Sequence, residues 1–198
     1  MPKLLVATGN AHKTEEIAAI LDDDYEVTDL SNHTDLPAVE ETGTTFLENA
    51  TLKAVEISRA VSGLVLSDDS GLEVDALNGE PGVYSARYAG EDGNDELNNE
   101  KLLRELGDVP ESERSARFRC VMVLAENGQL LAHFDGSVEG YIIGQRHGSR
   151  GFGYDPLFVP EGYRETFAEL GDDVKNTLSH RAKAMAKVSV WLANRMKP

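Results

Sequence analysis

Residues 63–75 read GLVLSDDSGLEVD, an apolar run followed by two adjacent carboxylates, a hydroxyl and a glycine. Residues 63–66 predict a short buried strand. Ligands of open α/β sheets bind beyond the carboxyl ends of the strands, which is where Asp68 and Asp69 are then expected. The two carboxylates repel each other when both are ionised and dry, and oxygen ligands favour Mg²⁺ as the compensating cation. An ordinary acidic turn is the open alternative, because the same residues are good turn formers.

The beginning of the chain predicts another buried strand, at residues 3–7, that ends in an anion-binding turn. The turn has the sequence Thr8-Gly9-Asn10-Ala11-His12-Lys13. Asn10 is expected to cap a following helix, whose first N–H groups attract anions, and Lys13 adds positive charge. The spacing does not match a Walker A loop. The helix N-terminus and Lys13 nevertheless predict phosphate binding here. The open alternative is a structural turn.

The segment from residue 45 to residue 61 predicts a helix. Thr45 and Glu48 match a capping box, and apolar residues then recur at helical spacing. Lys53 lies on a neighbouring face of this helix, four residues after Asn49. Spacing alone favours a solvated lysine, and the alternative is that Lys53 reaches a site at the end of the neighbouring strand.

The second half of the chain predicts antiparallel strands. Residues 117–125 and 130–143 form two long strand patterns joined at Asn127-Gly128, a strong hairpin signal. They follow a strand at residues 25–30 and a helix at residues 94–107 that is expected to bury its leucines, Leu97 included. The fold class is therefore mixed α/β.

A glycine-rich loop at residues 148–156 predicts the close approach of backbone to a flat ligand. Phe152 or Tyr154 is expected to stack on a base, and Asp155 to accept hydrogen bonds from the base edge. The alternative is a turn whose aromatic side chains fill the core.

A second polar segment, residues 175–181, begins with Lys175 and leads into the last helix. Ser179 is expected to cap that helix, which places His180 and Arg181 in its first turn, where the helix dipole disfavours cations. Such a conflict with a local rule tends to mark a functional position.

Composition excludes several classes of protein. The chain has 198 residues, enough for one domain or a compact two-lobed one, and a net charge of −16. That charge argues against binding to nucleic acid polymers. The single cysteine, Cys120, lies in an apolar pattern and is expected to be buried. No run of residues is long and apolar enough to predict a membrane helix or a signal peptide, so cytoplasm is the expected location.

Together these residues predict a magnesium-dependent enzyme that acts on a nucleoside polyphosphate. The motifs Thr8-Gly9-Asn10-x-x-Lys13, Glu40-Glu41-Thr42-Gly43, Ser67-Asp68-Asp69-Ser70-Gly71-Leu72, Pro81-Gly82-Val83-Tyr84-Ser85-Ala86-Arg87, Gly151-Phe152-Gly153-Tyr154-Asp155-Pro156 and Ser179-His180-Arg181 resemble the inosine triphosphate pyrophosphatase family in its bacterial form. The resemblance covers nearly the whole chain in order.

The resemblance implies an elongated mixed sheet flanked by helices, with two lobes and a central cleft, in a single domain over residues 1–198 that forms a homodimer. It implies hydrolysis of ITP, dITP and XTP to the monophosphate and pyrophosphate, with Mg²⁺ as the cofactor. Asp69 would be the general base and a metal ligand, Glu40 or Glu41 would be a second metal-side acid, and Asp68 would be a further metal-site residue. The implied substrate contacts are Thr8, Gly9, Asn10, Ala11, His12, Lys13, Lys53, Ser70, Phe152, Gly153, Tyr154, Asp155, Lys175, His180 and Arg181.

Discrimination against ATP is expected from donors such as Arg181 or backbone N–H groups, which would pair with the C6 oxygen of hypoxanthine or xanthine. An adenine would leave them unsatisfied, at a cost of about 1–3 kcal/mol each. Two alternatives use the same residues: a purine-nucleotide sensor without turnover, and a structural metal-binding protein.

Overall fold

The computed structural model describes residues 3–21, 25–33, 35–91 and 93–195. Its strands are β1 (Lys3–Val6), β2 (Glu26–Asp29), β3 (Leu64–Val74), β4 (Ser115–Glu126), β5 (Gln129–Ile142) and β6 (Phe158–Pro160). Its α-helices are α1 (Ala11–Leu21), α2 (Phe46–Ala60), α3 (Asp95–Leu106), α4 (Phe167–Leu170), α5 (Asp172–Leu178) and α6 (His180–Arg195). No helix in these ranges has the length and apolar character needed to cross a bilayer.

The strands form one mixed sheet in the order β2-β1-β3-β4-β5-β6. The short β1 pairs in parallel with both β2 and β3, and its register with β3 runs from Leu4 opposite Leu64 to Val6 opposite Leu66. At the other end of the sheet, β5 and β6 are antiparallel. The mixed α/β class expected from the sequence is therefore confirmed.

The strand that carries the paired carboxylates is longer than predicted. β1 stops pairing with β3 at Leu66, but β3 continues for eight further residues to Val74 beside the twelve-residue β4. Asp68 and Asp69 therefore lie inside a strand, and both the predicted strand end and the acidic-turn alternative are wrong. The two carboxylates nevertheless lie just beyond the carboxyl end of β1, as a ligand site in a parallel sheet requires.

Several local predictions are confirmed. Thr45 and Glu48 form the capping box at the start of α2, with both reciprocal hydrogen bonds at 3.2 Å. The turn between β4 and β5 places Asn127 and Gly128 at positive φ, 52° and 76°, as a tight hairpin needs. The prediction for Leu97 is wrong, because this side chain is 42% exposed.

The chain divides into two compact units, and β3, β4 and β5 each contribute residues to both. The first unit comprises Met1–Asp69, Cys120–Gly136 and Arg181–Pro198, and the second comprises Ser70–Arg119 and Ser137–His180. The first unit buries apolar side chains of β1, α1 and α6 together with Cys120, whose predicted burial is confirmed. The second packs the rings of Phe118, Phe158 and Phe167 against leucines of α3. The expected single domain with a central cleft stays a prediction.

Candidate functional site

Asp68 lies at the centre of a buried charge network in the first unit. Its Oδ2 is 3.1 Å from Lys13 Nζ and 3.1 Å from Arg181 Nη2. Burial alone would raise the pKa of Asp68, but the charges of Lys13 and Arg181 outweigh it and hold the pKa well below its usual range. No metal ion at Asp68 is therefore needed to offset the expected repulsion between Asp68 and Asp69, because Lys13 and Arg181 already compensate the charge of Asp68.

Arg181 explains how α6 tolerates a cation in its first turn. The guanidinium is 1% exposed and contacts two carboxylates, Asp68 on β3 and Glu16 on α1. These anions hold the pKa of Arg181 above its ordinary value despite the opposing effect of burial. The structure thus gives Arg181 the role of fixing Asp68 and α1, while the expected contact with the substrate base stays a prediction.

Lys53 joins three acidic residues from two segments of the chain. Its Nζ donates to Glu41 Oε1 at 3.0 Å and to the main-chain oxygen of Asp68 at 2.8 Å, and it lies 3.7 Å from Asp69 Oδ1. Burial lowers the pKa of Lys53, but the charges of Asp69, Asp68 and Glu41 more than reverse the effect and raise it overall. The solvated-lysine interpretation is wrong, because Lys53 reaches the neighbouring strand as a charged ammonium.

Asp69 differs from its neighbour in its protonation. It is 5% exposed, and burial raises its pKa to about 6, even though Lys53 acts in the opposite direction. Asp68 and Asp69 point to opposite faces of the strand, so the cations around Asp68 compensate Asp69 less well. A carboxylate with a pKa near neutrality is suited to accept a proton from water.

The acidic residues around Lys53 fit a magnesium ion that is shared with a substrate. Asp69 Oδ2 is buried and has no hydrogen-bond partner in the described part of the chain. Glu41 shares Lys53 with Asp69, whereas Glu40 is exposed. No group of three or more metal-ligating side chains occurs among the described residues. Mg²⁺ is commonly held by one or two carboxylates with substrate phosphates and water, so a pair such as Asp69 and Glu41 is compatible with this ion.

The turn before α1 has the predicted cap. Asn10 Oδ1 accepts from the backbone N–H groups of His12 at 3.0 Å and Lys13 at 3.4 Å, and Thr8 Oγ1 accepts from the N–H of Asn10 at 3.1 Å. Asn10 thus engages two of the amides that were expected to bind an anion. Around Gly9, the space that a Cβ atom would occupy is empty. The turn is exposed, and Lys13 joins it to Asp68.

The glycine-rich loop is in the second unit and is built on a buried ion pair. Lys175 Nζ is 2.6 Å from Asp155 Oδ2, and each side chain is 3% exposed. The same carboxylate oxygen accepts from the backbone N–H of Phe152 at 2.9 Å, and Lys175 Nζ lies 4.3 Å from the centre of the Phe152 ring. Asp155 and Lys175, both predicted from the sequence, therefore lie together and fix the loop.

The two aromatic residues of the loop have different environments. Tyr154 is 3% exposed, and its hydroxyl donates to the main-chain oxygen of Ser85 at 2.8 Å, which places it in the core. Phe152 is half-buried. The sequence left open which of the two rings stacks on a base, and the half-buried Phe152 is better suited to that role than the buried Tyr154.

Two other expected substrate contacts have different surroundings. His180 is buried and stacks on Phe118 with ring centres 5.0 Å apart, and Ser70 is half-buried in β3.

The sequence analysis did not identify some residues of the charge network around Asp68 and of the glycine-rich loop. Glu16, the partner of Arg181, lies one helical turn after Lys13, a spacing that places both on one face of α1. Asp95 and Asn99 of α3 bind the backbone of Gly153. Their four-residue spacing was the only available signal, and it does not identify a partner 54 or more residues away.

Comparisons with known proteins identify the family of the chain. A family model described as the Ham1 family matches residues 4–191. A dITP/XTP pyrophosphatase of Oceanobacillus iheyensis is 47% identical over 194 residues, which cover 97% of this chain and 98% of that protein. The solved Ham1 protein of Staphylococcus aureus is 41% identical with a TM-score of 0.86, over 98% of this chain and 99% of that one. A HAM1 protein from Coxiella burnetii is 38% identical with a TM-score of 0.87, over 98% and 100% of the two chains. The chain therefore belongs to the Ham1 family.

Proposed function

We propose that this protein hydrolyses non-standard purine nucleoside triphosphates, namely ITP, dITP and XTP, to the monophosphate and pyrophosphate. The observation that carries the proposal is the buried Asp69 carboxylate, with a pKa of about 6, beside Lys53 and Glu41. A relative named dITP/XTP pyrophosphatase, 47% identical over almost the full length, supports the same reaction and substrates.

In the proposed reaction, Asp69 accepts a proton from a water molecule as the water oxygen attacks the α-phosphorus. A new P–O bond forms there, the bond to the α–β bridging oxygen breaks, and pyrophosphate leaves with that oxygen. Without bound metal, burial raises the pKa of Asp69 to about 6, which makes it a better proton acceptor than a solvated aspartate. Lys53 stays charged beside Asp69 and offsets the negative charge of the phosphates.

Asp69 and Glu41 are proposed to hold the magnesium ion, which neutralises phosphate charge as a Lewis acid when bound. We assign this role to Glu41 and not to Glu40, because Glu41 contacts Lys53 and Glu40 is exposed. Asp68 is proposed to act indirectly. Its contacts with Lys13 and Arg181 tie the N-terminal turn and α6 to β3.

We assign recognition of the base to the loop at residues 152–155 together with Lys175. Phe152 offers a ring that is backed by the Lys175 ammonium, and the backbone of the loop is fixed by Asp155. The backbone N–H groups of Phe152 and Gly153 are already bound to Asp155 and Asp95, so they shape the loop and are not donors to the base. Asp155 is ion-paired, so its role is support for the loop.

The proposal is tested by incubating the protein with ITP, XTP, dITP, ATP and GTP, with Mg²⁺ or with EDTA, and identifying the products. The expected result is the monophosphate and pyrophosphate from ITP, XTP and dITP, much faster than from ATP or GTP and only with Mg²⁺. Release of orthophosphate would contradict the proposed reaction. A rise in melting temperature with ITP but no product would instead support the nucleotide sensor.

The homodimer, which the resemblance implies, and the cytoplasmic location, which composition predicts, stay predictions. The net charge of −16 supports a small nucleotide over a nucleic acid polymer as the partner, since a polymer would be repelled by most of the surface.

A further inference from the structure

Helix α3 holds the glycine-rich loop at Gly153. The N–H of Gly153 donates to Asp95 Oδ2 at 2.6 Å, and its carbonyl accepts from Asn99 Nδ2 at 2.8 Å. Both backbone polar groups of one loop residue are thus fixed by side chains of a single helix.

The two side chains form one unit on the helix surface. Asp95 and Asn99 are four residues apart and so lie on the same face, and Asn99 Nδ2 also donates to the main-chain oxygen of Asp95 at 2.6 Å. Asn99 is 0% exposed, and its Oδ1 has no hydrogen-bond partner in the described part of the chain. A buried amide with an unmet acceptor is unfavourable, so packing alone would favour an apolar residue. What the amide provides in return is the bond to Gly153.

The two bonds from α3 to Gly153 affect Phe152, the residue that we propose for stacking. Gly153 has a φ of 61°, a conformation that suits glycine, and glycine is also the residue with the greatest backbone freedom. Phe152 immediately precedes it, and the N–H of Phe152 is bound to Asp155. The backbone around the Phe152 ring is therefore fixed on one side by Asp155 and on the other by α3.

We propose that Asp95 and Asn99 are positioning residues that act through Gly153 to hold Phe152 against the purine and so set the discrimination between bases. This inference rests on the proposed function. Neither residue takes part in the chemical step, so their loss affects binding and selectivity more than turnover.

The test compares Asp95→Ala with Asp95→Asn, which keeps an acceptor oxygen. The control is Glu100→Gln, an exposed position on the same helix. For Asp95→Ala we expect the KM for ITP to rise on the order of tenfold, equivalent to about 1.4 kcal/mol. The ITP-to-GTP ratio of kcat/KM should fall, while kcat stays within about twofold. Asp95→Asn should recover most of the loss, and Glu100→Gln should behave as the wild type.

Two results would overturn the inference: a loss of kcat at unchanged KM and selectivity, or an Asp95→Asn variant as impaired as Asp95→Ala. The second result would mean that the charge of Asp95 at the start of α3 matters and its bond to Gly153 does not. If the wild type releases no pyrophosphate, the proposed function fails separately. The inference is then decided by the Kd for ITP in EDTA, which Asp95→Ala must raise and Asp95→Asn must not.

Discussion

Replacing Asp69 by asparagine should abolish turnover and also change how stability depends on pH. Burial raises the pKa of Asp69 from 3.8 to about 6. A carboxyl group with a raised pKa favours the folded state fully below its unfolded pKa, and that contribution is lost as pH rises through the folded pKa. Asparagine does not titrate. The variant should therefore gain stability relative to the wild type as the pH increases.

The size of this change in stability follows from the pKa shift of Asp69. About 2 pKa units at roughly 1.4 kcal/mol each give a total of about 3 kcal/mol. The calculated isoelectric point is about 4.6, so measurements are best made from pH 5 to pH 8. Roughly half of the total, about 1.5 kcal/mol, develops across that range, because the unfolded carboxyl group is already ionised at pH 5.

The assay is urea denaturation of both proteins in EDTA at several pH values, with the difference in unfolding free energy plotted against pH. Constant effects of the substitution cancel in this comparison. Glu113→Gln, at an exposed position, serves as the control for the loss of a carboxylate far from the site. A difference between Asp69→Asn and the wild type that is the same at pH 5 and pH 8 would refute the reasoning about Asp69.

Three further predictions test other parts of the account. Lys175→Met leaves Asp155 buried without its cation, so it should lose about 3–5 kcal/mol in urea denaturation, and adding Asp155→Asn should restore part of that loss. Thr45→Ala removes the cap of α2 and should cost about 1 kcal/mol in the same assay, with kcat unchanged. Glu41→Gln should raise the Mg²⁺ concentration needed for half-maximal rate on the order of tenfold or more, whereas Glu40→Gln should leave it nearly unchanged. Equal effects of the two glutamate changes would remove the basis for choosing Glu41.

Short-range features could be predicted because their cause lies within a few residues. The capping box at Thr45 and Glu48, the cap at Asn10 and the hairpin at Asn127-Gly128 each depend on bonds or dihedral angles inside one turn. The buried Cys120 and the mixed sheet followed from the apolar pattern, which records which face of an element is inside.

Features that depend on distant partners could not be predicted. β3 passes through Asp68 and Asp69 because β4 continues beside it after β1 has ended, and no local signal reports the length of a neighbouring strand. Arg181 is buried because carboxylates 113 and 165 residues away surround it. The position of Arg181 in the first turn of α6 marked it as unusual, but it did not show which groups compensate its charge. The choice between Glu40 and Glu41 likewise needed the position of Lys53.

The most direct test of the proposed reaction is hydrolysis of ITP in water enriched in ¹⁸O, with mass analysis of both products. Attack at the α-phosphorus predicts that the label appears in the monophosphate and that the pyrophosphate stays unlabelled. Label in the pyrophosphate would place the attack at the β-phosphorus and contradict the role assigned to Asp69.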